Sequence, residues 1–202
     1  EVVVISYPSF QTSDTVSAAN GGTFAGNVTM SSNLNVDTIK NTSGTTLMDA
    51  NISIDLWRLS SSFTTNSATI TGWERPDDGY NAVINGLTES SGVFTFAVTG
   101  LYEVQVIIHA QNTSSSDGSF AASLEVSSDG GSNWDIGGFT FNGDIDTGTN
   151  KSMTNKVFVN VTDTSLYRFR IVTNSLASGT QINGNTDYNY TCVSFVKLAP
   201  AQ

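Results

Sequence analysis

The sequence predicts an all-β protein: a small N-terminal region of short strands, then a sandwich or jelly roll in the rest of the 202 residues. Only 13% of the residues are charged, so the chain lacks the many Glu, Lys and Arg that cover exposed helix faces. Thr, Val and aromatic residues occur instead in short runs between polar turns. No segment keeps a helical period, which disfavours a fold of alternating strands and helices.

The N-terminal part contains short alternating runs separated by Gly, Ser and Asn. Within residues 21–48 the side chains of Phe24, Val28 and Met30 share one parity, which predicts half-buried strands. Each run is too short to bury a core by itself. We therefore expect these strands to pair with copies of the same chain in a stalk.

A polar run at 60–65 predicts the boundary between this stalk and a head domain. The preceding residues 52–59 alternate at first and then change phase at Trp57, which we interpret as a transition segment. We therefore assign residues 1–62 to an N-terminal attachment and stalk segment and residues 63–202 to the head.

The head is predicted to consist of successive strands with turn signals between them, which favours a sandwich or jelly roll. The predicted strands are residues 68–73, 92–98, 101–111, 119–127, 136–141, 152–161, 166–173 and 188–198.

Two of these strands carry apolar residues on both faces. In 101–111 one face is apolar throughout, and the other mixes Ile107 with polar residues such as Gln105. In the last strand Val193 and Phe195 lie on the face opposite Cys192. Strands of this kind are usually covered on both sides. One cover would come from the sandwich and the second from a neighbouring subunit.

The stretch "GVFTFAVTGLYEVQVIIHAQ" resembles the core of the complement globular-head and tumour-necrosis-factor superfamily. Gly92, Phe94, Phe96, Gly100 and Tyr102 match its Gly-x-Phe-x-Phe, turn, Gly-x-Tyr spacing. The closing "YTCVSFVKLA" is similar to the last strand of that superfamily, and the resemblance extends over about residues 65–200.

This resemblance implies a ten-strand jelly roll that assembles as a homotrimer, with one sheet facing the threefold axis. Sister subunits would then cover the second face of the two-faced strands. The predicted trimer-interface residues are Leu101, Glu103, Gln105, Ile107, His109, Val193 and Phe195.

Upstream, "GGTFAGNVTMSSNLNVDTIKN" resembles the repeats of bacteriophage tail fibres and other virion appendages. A β stalk followed by such a head implies a fibre or spike on the surface of a virion tail or capsid, outside the cell. The N-terminal segment would bind other structural proteins of the virion.

The charge balance excludes several partners. Acidic residues outnumber basic ones 18 to 8, giving a net charge of −10, which disfavours nucleic acid and anionic membrane surfaces. No apolar stretch reaches the length of a membrane span, so no membrane insertion is expected. The first residues lack a Met and a charged leader, which suggests a processed or excerpted terminus. Cys192 is the single cysteine and is predicted to be a buried apolar side chain.

A weak cation site is suggested by "FNGDIDTGTN", where Asn142, Asp144 and Asp146 alternate before Gly148. Alternating carboxylates in a turn can converge on calcium, but Met153 stands where a calcium loop would place a Glu. A solvated acidic loop is the favoured interpretation. No cofactor is therefore predicted, with calcium as the alternative.

The segment "SSDGGSNW", residues 127–134, resembles the Asp-box of sialidases, with Asn133 in place of the usual Thr. We interpret it as a hairpin turn in which the aspartate caps turn amides and the tryptophan packs beneath. Exposed aromatic rings near turns can stack on sugars, although core packing is the commoner role. The candidates for glycan contact are Trp73, Tyr80, Trp134 and Tyr188.

The resulting hypothesis is a non-enzymatic structural protein of a virion whose head contacts a glycan or protein on the host surface. The single histidine, His109, lies in the middle of a strand rather than on a rim beside a nucleophile. Two alternatives remain at this stage. A glycan-cleaving tailspike enzyme would need two carboxylates at catalytic separation, and a secreted trimeric lectin would need no virion.

Overall fold

The computed structural model describes the backbone of residues 38–40 and 46–49, and residues 52–77, 79, 81–114 and 116–202 in full. The alternating runs predicted between residues 21 and 36 lie outside the described residues. In the N-terminal part, β1 (Thr38–Lys40) and β2 (Thr46–Asp49) form an antiparallel pair.

The remaining described residues form strands and no helix, so none of them contains a helix that could cross a membrane. In chain order the strands are β3 (Ile54–Leu59), β4 (Trp73–Glu74), β5 (Thr88–Ser90), β6 (Val93–Thr95), β7 (Gly100–Asn112), β8 (Phe120–Ser127), β9 (Asp135–Asn142), β10 (Asn150–Val161), β11 (Arg168–Asn174), β12 (Thr180–Ile182) and β13 (Cys192–Ala199).

These strands build two antiparallel sheets that pack face to face as a jelly-roll sandwich, which confirms the predicted fold class. The six-stranded sheet has the order β10-β7-β13-β3-β4, with β12 also paired to β7. The five-stranded sheet has the order β5-β6-β11-β8-β9. Each of the eight strands predicted in the head overlaps an observed strand or bridge, whereas the three-residue strands β5 and β12 were not predicted.

Strand β3 corrects the predicted domain boundary. It lies inside the six-stranded sheet between β13 and β4, and Trp57 and Leu59 are part of the buried core. Between them Arg58 is only 1% exposed, because Glu74 and Asp77 cover its guanidinium. The change of phase in the sequence therefore marks a strand that is covered on both faces. The head begins before Ile54 and not at residue 63.

The two motif glycines are required by close backbone contacts. Gly92 has a φ of +84°, and a Cβ there would lie 2.3 Å from the carbonyl oxygen of Ile70. A Cβ on Gly100 would lie 2.9 Å from the carbonyl oxygen of Ala199. The first contact holds the turn before β6 against Ile70, and the second holds the start of β7 against the C-terminal strand, which explains why both positions are glycine.

An aromatic cluster fills the space between the sheets. The ring of Phe94, on β6, lies 5.1 to 6.4 Å from those of Trp57, Trp73, Phe169 and Phe195. Edge-to-face and tilted pairs of this kind add to the free energy gained by burial. The cluster joins both sheets and forms the centre of the core.

Strand β13 corrects two of the predicted interface residues. Val193 pairs with Val106 and Phe195 pairs with Val104, and all four side chains are at most 1% exposed. Paired residues of antiparallel strands point to the same face, so Val193 and Phe195 lie in the core and not at a subunit interface. Cys192 is 8% exposed, which confirms its predicted burial.

We expect Phe195→Ala to lower the free energy of unfolding by about 3–5 kcal/mol, because it opens a cavity beside the rings of Phe94, Phe96 and Phe169. Leu166→Ala is the control, since the Leu166 side chain is 42% exposed and lies outside the strands, and it should cost less than about 1 kcal/mol. Urea unfolding followed by tryptophan fluorescence measures both. Equal losses for the two variants would contradict the central position of Phe195.

Candidate functional site

The outer side of the six-stranded sheet exposes side chains from several regular strands. We call it the exposed sheet face: the side chains of β3, β7, β10 and β13 that point away from the core. Along β7, core-facing and outward-facing side chains alternate strictly, with Ile107 36% exposed between two buried neighbours. The second side of β7 is thus only half covered within one chain.

Register places apolar side chains side by side on this face. Phe158, Glu103, Val196 and Ile54 form one row across four strands. Phe158 is 60% exposed and Ile54 40% exposed. Leu198, at the register irregularity between Lys197 and Ala199 of β13, is 53% exposed. The row therefore exposes a band of apolar surface to solvent, and this band contains the carboxylate of Glu103.

The charges on this face are placed at its two sides. On the β10 side Lys156 Nζ lies 3.0 Å from Glu103 Oε2, an exposed pair that contributes little by itself. On the β3 side Arg58 Nε donates to Glu74 at 2.8 Å and Nη2 to Asp77 at 2.7 Å. The hydrogen bond to Glu74 is the main cause of the raised pKa of Arg58. The carboxylate of Glu103, which lies within the apolar row, is thereby paired with a lysine.

A second apolar surface lies on β9, the edge strand of the five-stranded sheet. Ile136, Phe139 and Phe141 are 62%, 52% and 62% exposed and point away from the core. We call these three residues the β9 stripe. Gly138 allows Val157 of β10 to approach, since a Cβ there would lie 2.9 Å from Val157 Cγ1. Strands β9 and β10 thus form a common edge where the two sheets meet.

The sequence analysis placed five interface candidates on the exposed sheet face and missed other residues there. Leu101, Glu103, Gln105, Ile107 and His109 all belong to the outward parity of β7. The ring of His109 is partly covered within its own chain, because Tyr190 stacks on it with centroids 5.3 Å apart. The sequence analysis named no interface candidate among Ile54, Phe158, Leu198 and the β9 stripe.

The four candidates for glycan contact have different surroundings. Trp73 is corrected: it is 6% exposed, its Nε1 donates to Ile70 O at 2.8 Å, and it has no face available for a sugar. Trp134 is half-buried in a hairpin. Tyr188 is 61% exposed. Tyr80 lies outside the described residues.

The hairpin between β8 and β9 has the predicted internal bonding of an Asp-box turn. Asp129 Oδ1 accepts from the Asn133 amide at 2.9 Å and from the Ser127 hydroxyl at 2.8 Å. Trp134 Nε1 donates to Gly131 O at 3.0 Å. The guanidinium of Arg170 lies 4.1 Å above the Trp134 ring. These contacts confirm the structural interpretation of residues 127–134.

The acidic loop after β9 is exposed around a single buried residue. Asp144 and Asp146 are exposed and flank Ile145, which is buried and bridges to Asp117. Within the ranges that the structure describes, no group of three or more His, Cys, Asp or Glu side chains could hold a metal ion. Asn142, Asp144 and Asp146 therefore gain no further ligand of these types.

The comparisons with known proteins identify the fold. No protein-family model matches the chain, and no curated protein matches it. Among solved structures, the Eiger tumour necrosis factor of S. frugiperda matches with a TM-score of 0.60 and 12% identity, over 75% of this chain and 96% of that one. Murine APRIL matches with a TM-score of 0.50 and 10% identity, over 73% of this chain and 99% of that one. The head thus has a jelly-roll fold of the tumour-necrosis-factor type.

The Asp129 carboxylate makes the hairpin sensitive to acid. The hydrogen bond from the Asn133 amide is the largest of the causes that lower its pKa from 3.8 to about 2. A carboxylate whose pKa is lower when folded stabilises the protein above the unfolded pKa, and this contribution is lost as the pH falls through about 2. We expect Asp129→Ala to lower the melting temperature most above about pH 4 and least near pH 2.

Calorimetry at pH 2, 3, 4 and 6 measures this difference. The control is Asp144→Ala, which removes an exposed carboxylate outside the hairpin. A difference between Asp129→Ala and the wild type that does not change with pH would show that the carboxylate charge is irrelevant to the hairpin.

Proposed function

We propose that the chain is the head of a homotrimeric, non-enzymatic surface appendage, and that the apolar part of the exposed sheet face, around Ile54, Ile107 and Phe158, is its main interface between subunits. The observation that carries this proposal is the band of apolar side chains on an otherwise regular sheet. Ile54, Ile107, Phe158 and Leu198 are 36% to 60% exposed, and all lie on strands that also build the core. Several large apolar side chains exposed on one sheet face are typical of an interaction site.

The second apolar surface supports a ring rather than a twofold dimer. The β9 stripe and the exposed sheet face consist of different residues, so a contact between them is heterologous. Heterologous contacts generate a closed ring when the rotation closes, and three copies is the number that the resembled superfamily implies. Every subunit would then bind one neighbour through its exposed sheet face and the other neighbour through its β9 stripe.

The position of charges agrees with this arrangement. With a net charge of −10, three chains together carry strong like-charge repulsion. An interface is favourable only if the acidic groups are kept from its centre or paired there. Glu103, the acidic residue in the apolar row, is paired with Lys156 at 3.0 Å.

The more specific part of the proposal is a fibre or spike on a virion. Its support is the similarity of the N-terminal repeats to those of bacteriophage fibres, and the N-terminal segment would bind other virion proteins. The head would then present three identical copies of its surface to a host glycan or protein. Three weak contacts held together raise the effective concentration of each.

The absence of catalysis is also part of the proposal. The buried carboxylates already serve the fold. Asp55 accepts from Arg75, from Trp57 Nε1 and from the Leu87 amide. Asp117 accepts from the Thr180 hydroxyl and the Ala177 amide, and Glu125 accepts from Arg170. Engagement with these donors supports a structural role for all three groups rather than a catalytic one.

The solution mass tests self-association. We expect light scattering on the purified full chain to give a mass three times the 21.4 kDa of one chain. Ile107→Lys and Phe158→Lys should each shift the mass to that of one chain, because a buried unpaired ammonium costs several kcal/mol. Leu166→Lys is the matched control, since Leu166 is 42% exposed in a loop away from both apolar surfaces.

A wild-type protein with the mass of one chain at micromolar concentration would contradict the proposed trimer. So would a trimer that tolerates both lysine substitutions. Circular dichroism of each variant separates dissociation from unfolding.

A further inference from the structure

The chemistry of the exposed sheet face changes along its strands. Past Ile107, toward the end of β7, His109 lies opposite Asn183, and Gln111 pairs with Gln181 of β12. On the other side of β7 the residues paired with them are Ser152 and Asn150 of β10. We call these the polar tile: His109, Gln111, Asn150, Ser152, Gln181 and Asn183. None of the six side chains carries a permanent charge.

Hydrogen bonds orient the amides of the polar tile. Gln181 Nε2 donates to Asn183 Oδ1 at 2.9 Å and to Gln111 Oε1 at 3.3 Å. Asn183 Nδ2 lies 3.2 Å from His109 Nδ1. This bonding leaves Gln181 Oε1, Gln111 Nε2 and His109 Nε2 without a partner in the described part of the chain. One amide oxygen, one amide nitrogen and one ring nitrogen therefore remain available for hydrogen bonds to a ligand.

Two exposed tyrosines border the tile. Tyr190 stacks on His109 with ring planes 28° apart, and the Tyr188 ring lies 5.9 Å from that of Tyr190. Tyr190 is 43% exposed and Tyr188 61% exposed. The Tyr188 amide donates to Asn185 Oδ1 at 3.0 Å, which helps to hold this segment in place. The aromatic edge is thus positioned by the same chain before any ligand arrives.

We propose that the polar tile, with Tyr188 and Tyr190, binds an uncharged saccharide. Sugar hydroxyls both donate and accept hydrogen bonds, which side-chain amides match on both sides. The C–H faces of a sugar pack on aromatic rings, and few convergent polar groups beside such rings are typical of small-ligand sites. The tile offers no Lys or Arg to a sulfate or carboxylate, and the net charge of −10 repels anions.

The tile is separate from the apolar rows of the proposed interface. Along β7, His109 lies two residues past Ile107, or about 7 Å, and Gln111 four residues past it, or about 13 Å. Each subunit would therefore carry its own site beside the interface. The inference rests on the proposed function in one respect: a shallow tile binds weakly by itself, and three copies would give the avidity needed on a cell surface.

A glycan array with the labelled full chain tests the site. The probes are neutral oligosaccharides of glucose, galactose, mannose and N-acetylglucosamine, beside sialylated and sulfated ones. We expect retention on neutral probes, reduced about tenfold or more by Tyr188→Ala and by Asn183→Ala. Leu166→Ala is the control and should bind as the wild type does. Tyr188→Ala removes a side chain that is 61% exposed, so it tests the site without threatening the fold.

The mass of every variant, measured by light scattering, tests the saccharide site independently of the proposed trimer. Loss of binding at unchanged mass supports the tile, and a wild-type monomer that still binds neutral probes supports the tile while overturning the trimer. Absence of binding by the wild type, preference for charged probes, or full binding by both tile variants would each overturn the saccharide site.

Discussion

The burial of every second side chain of β7 against the aromatic core is the interaction on which the rest of the structure depends. β7 pairs with β10, β12 and β13, so its register determines which side chains of three other strands enter the core. Tyr102, Val104, Val106, Ile108 and Ala110 are at most 1% exposed. A slip of one residue would turn all of them to water, which is why this register is strongly determined.

The outward side of the same strands is a consequence of that register. Once the core-facing parity is occupied by apolar residues, Ile107 and Phe158 must point outward, where one chain leaves them 36% and 60% exposed. The same parity also carries His109 and Gln111 at the other end of β7. A single strand thereby combines an apolar section suited to contact with another subunit and an uncharged polar section suited to a ligand.

Buried charges hold the loops at the margins of the sandwich. Arg58, 1% exposed, ties Glu74 and Asp77 to β3, and Asp55 ties Arg75 to the same strand. Because burial of ions is costly, such pairs contribute more to the position of these segments than to overall stability. In the five-stranded sheet the pair Arg170–Glu125, with Trp134 packed on the guanidinium, does the same for the Asp-box hairpin.

The sequence by itself determined the strands and the local turn, and the tertiary structure decided which faces are buried. Period-two alternation identified residues 101–111, and the hairpin at 127–134 was predictable because its hydrogen bonds join residues within four positions of one another. Alternation separates two faces but does not say which one meets the core. In β13 both faces carry apolar side chains, so only pairing with β7 places Val193 and Phe195 inside. The place of β3 in the sheet, the burial of Trp73 and the stacking of Tyr190 on His109 likewise depend on contacts between residues far apart in the chain.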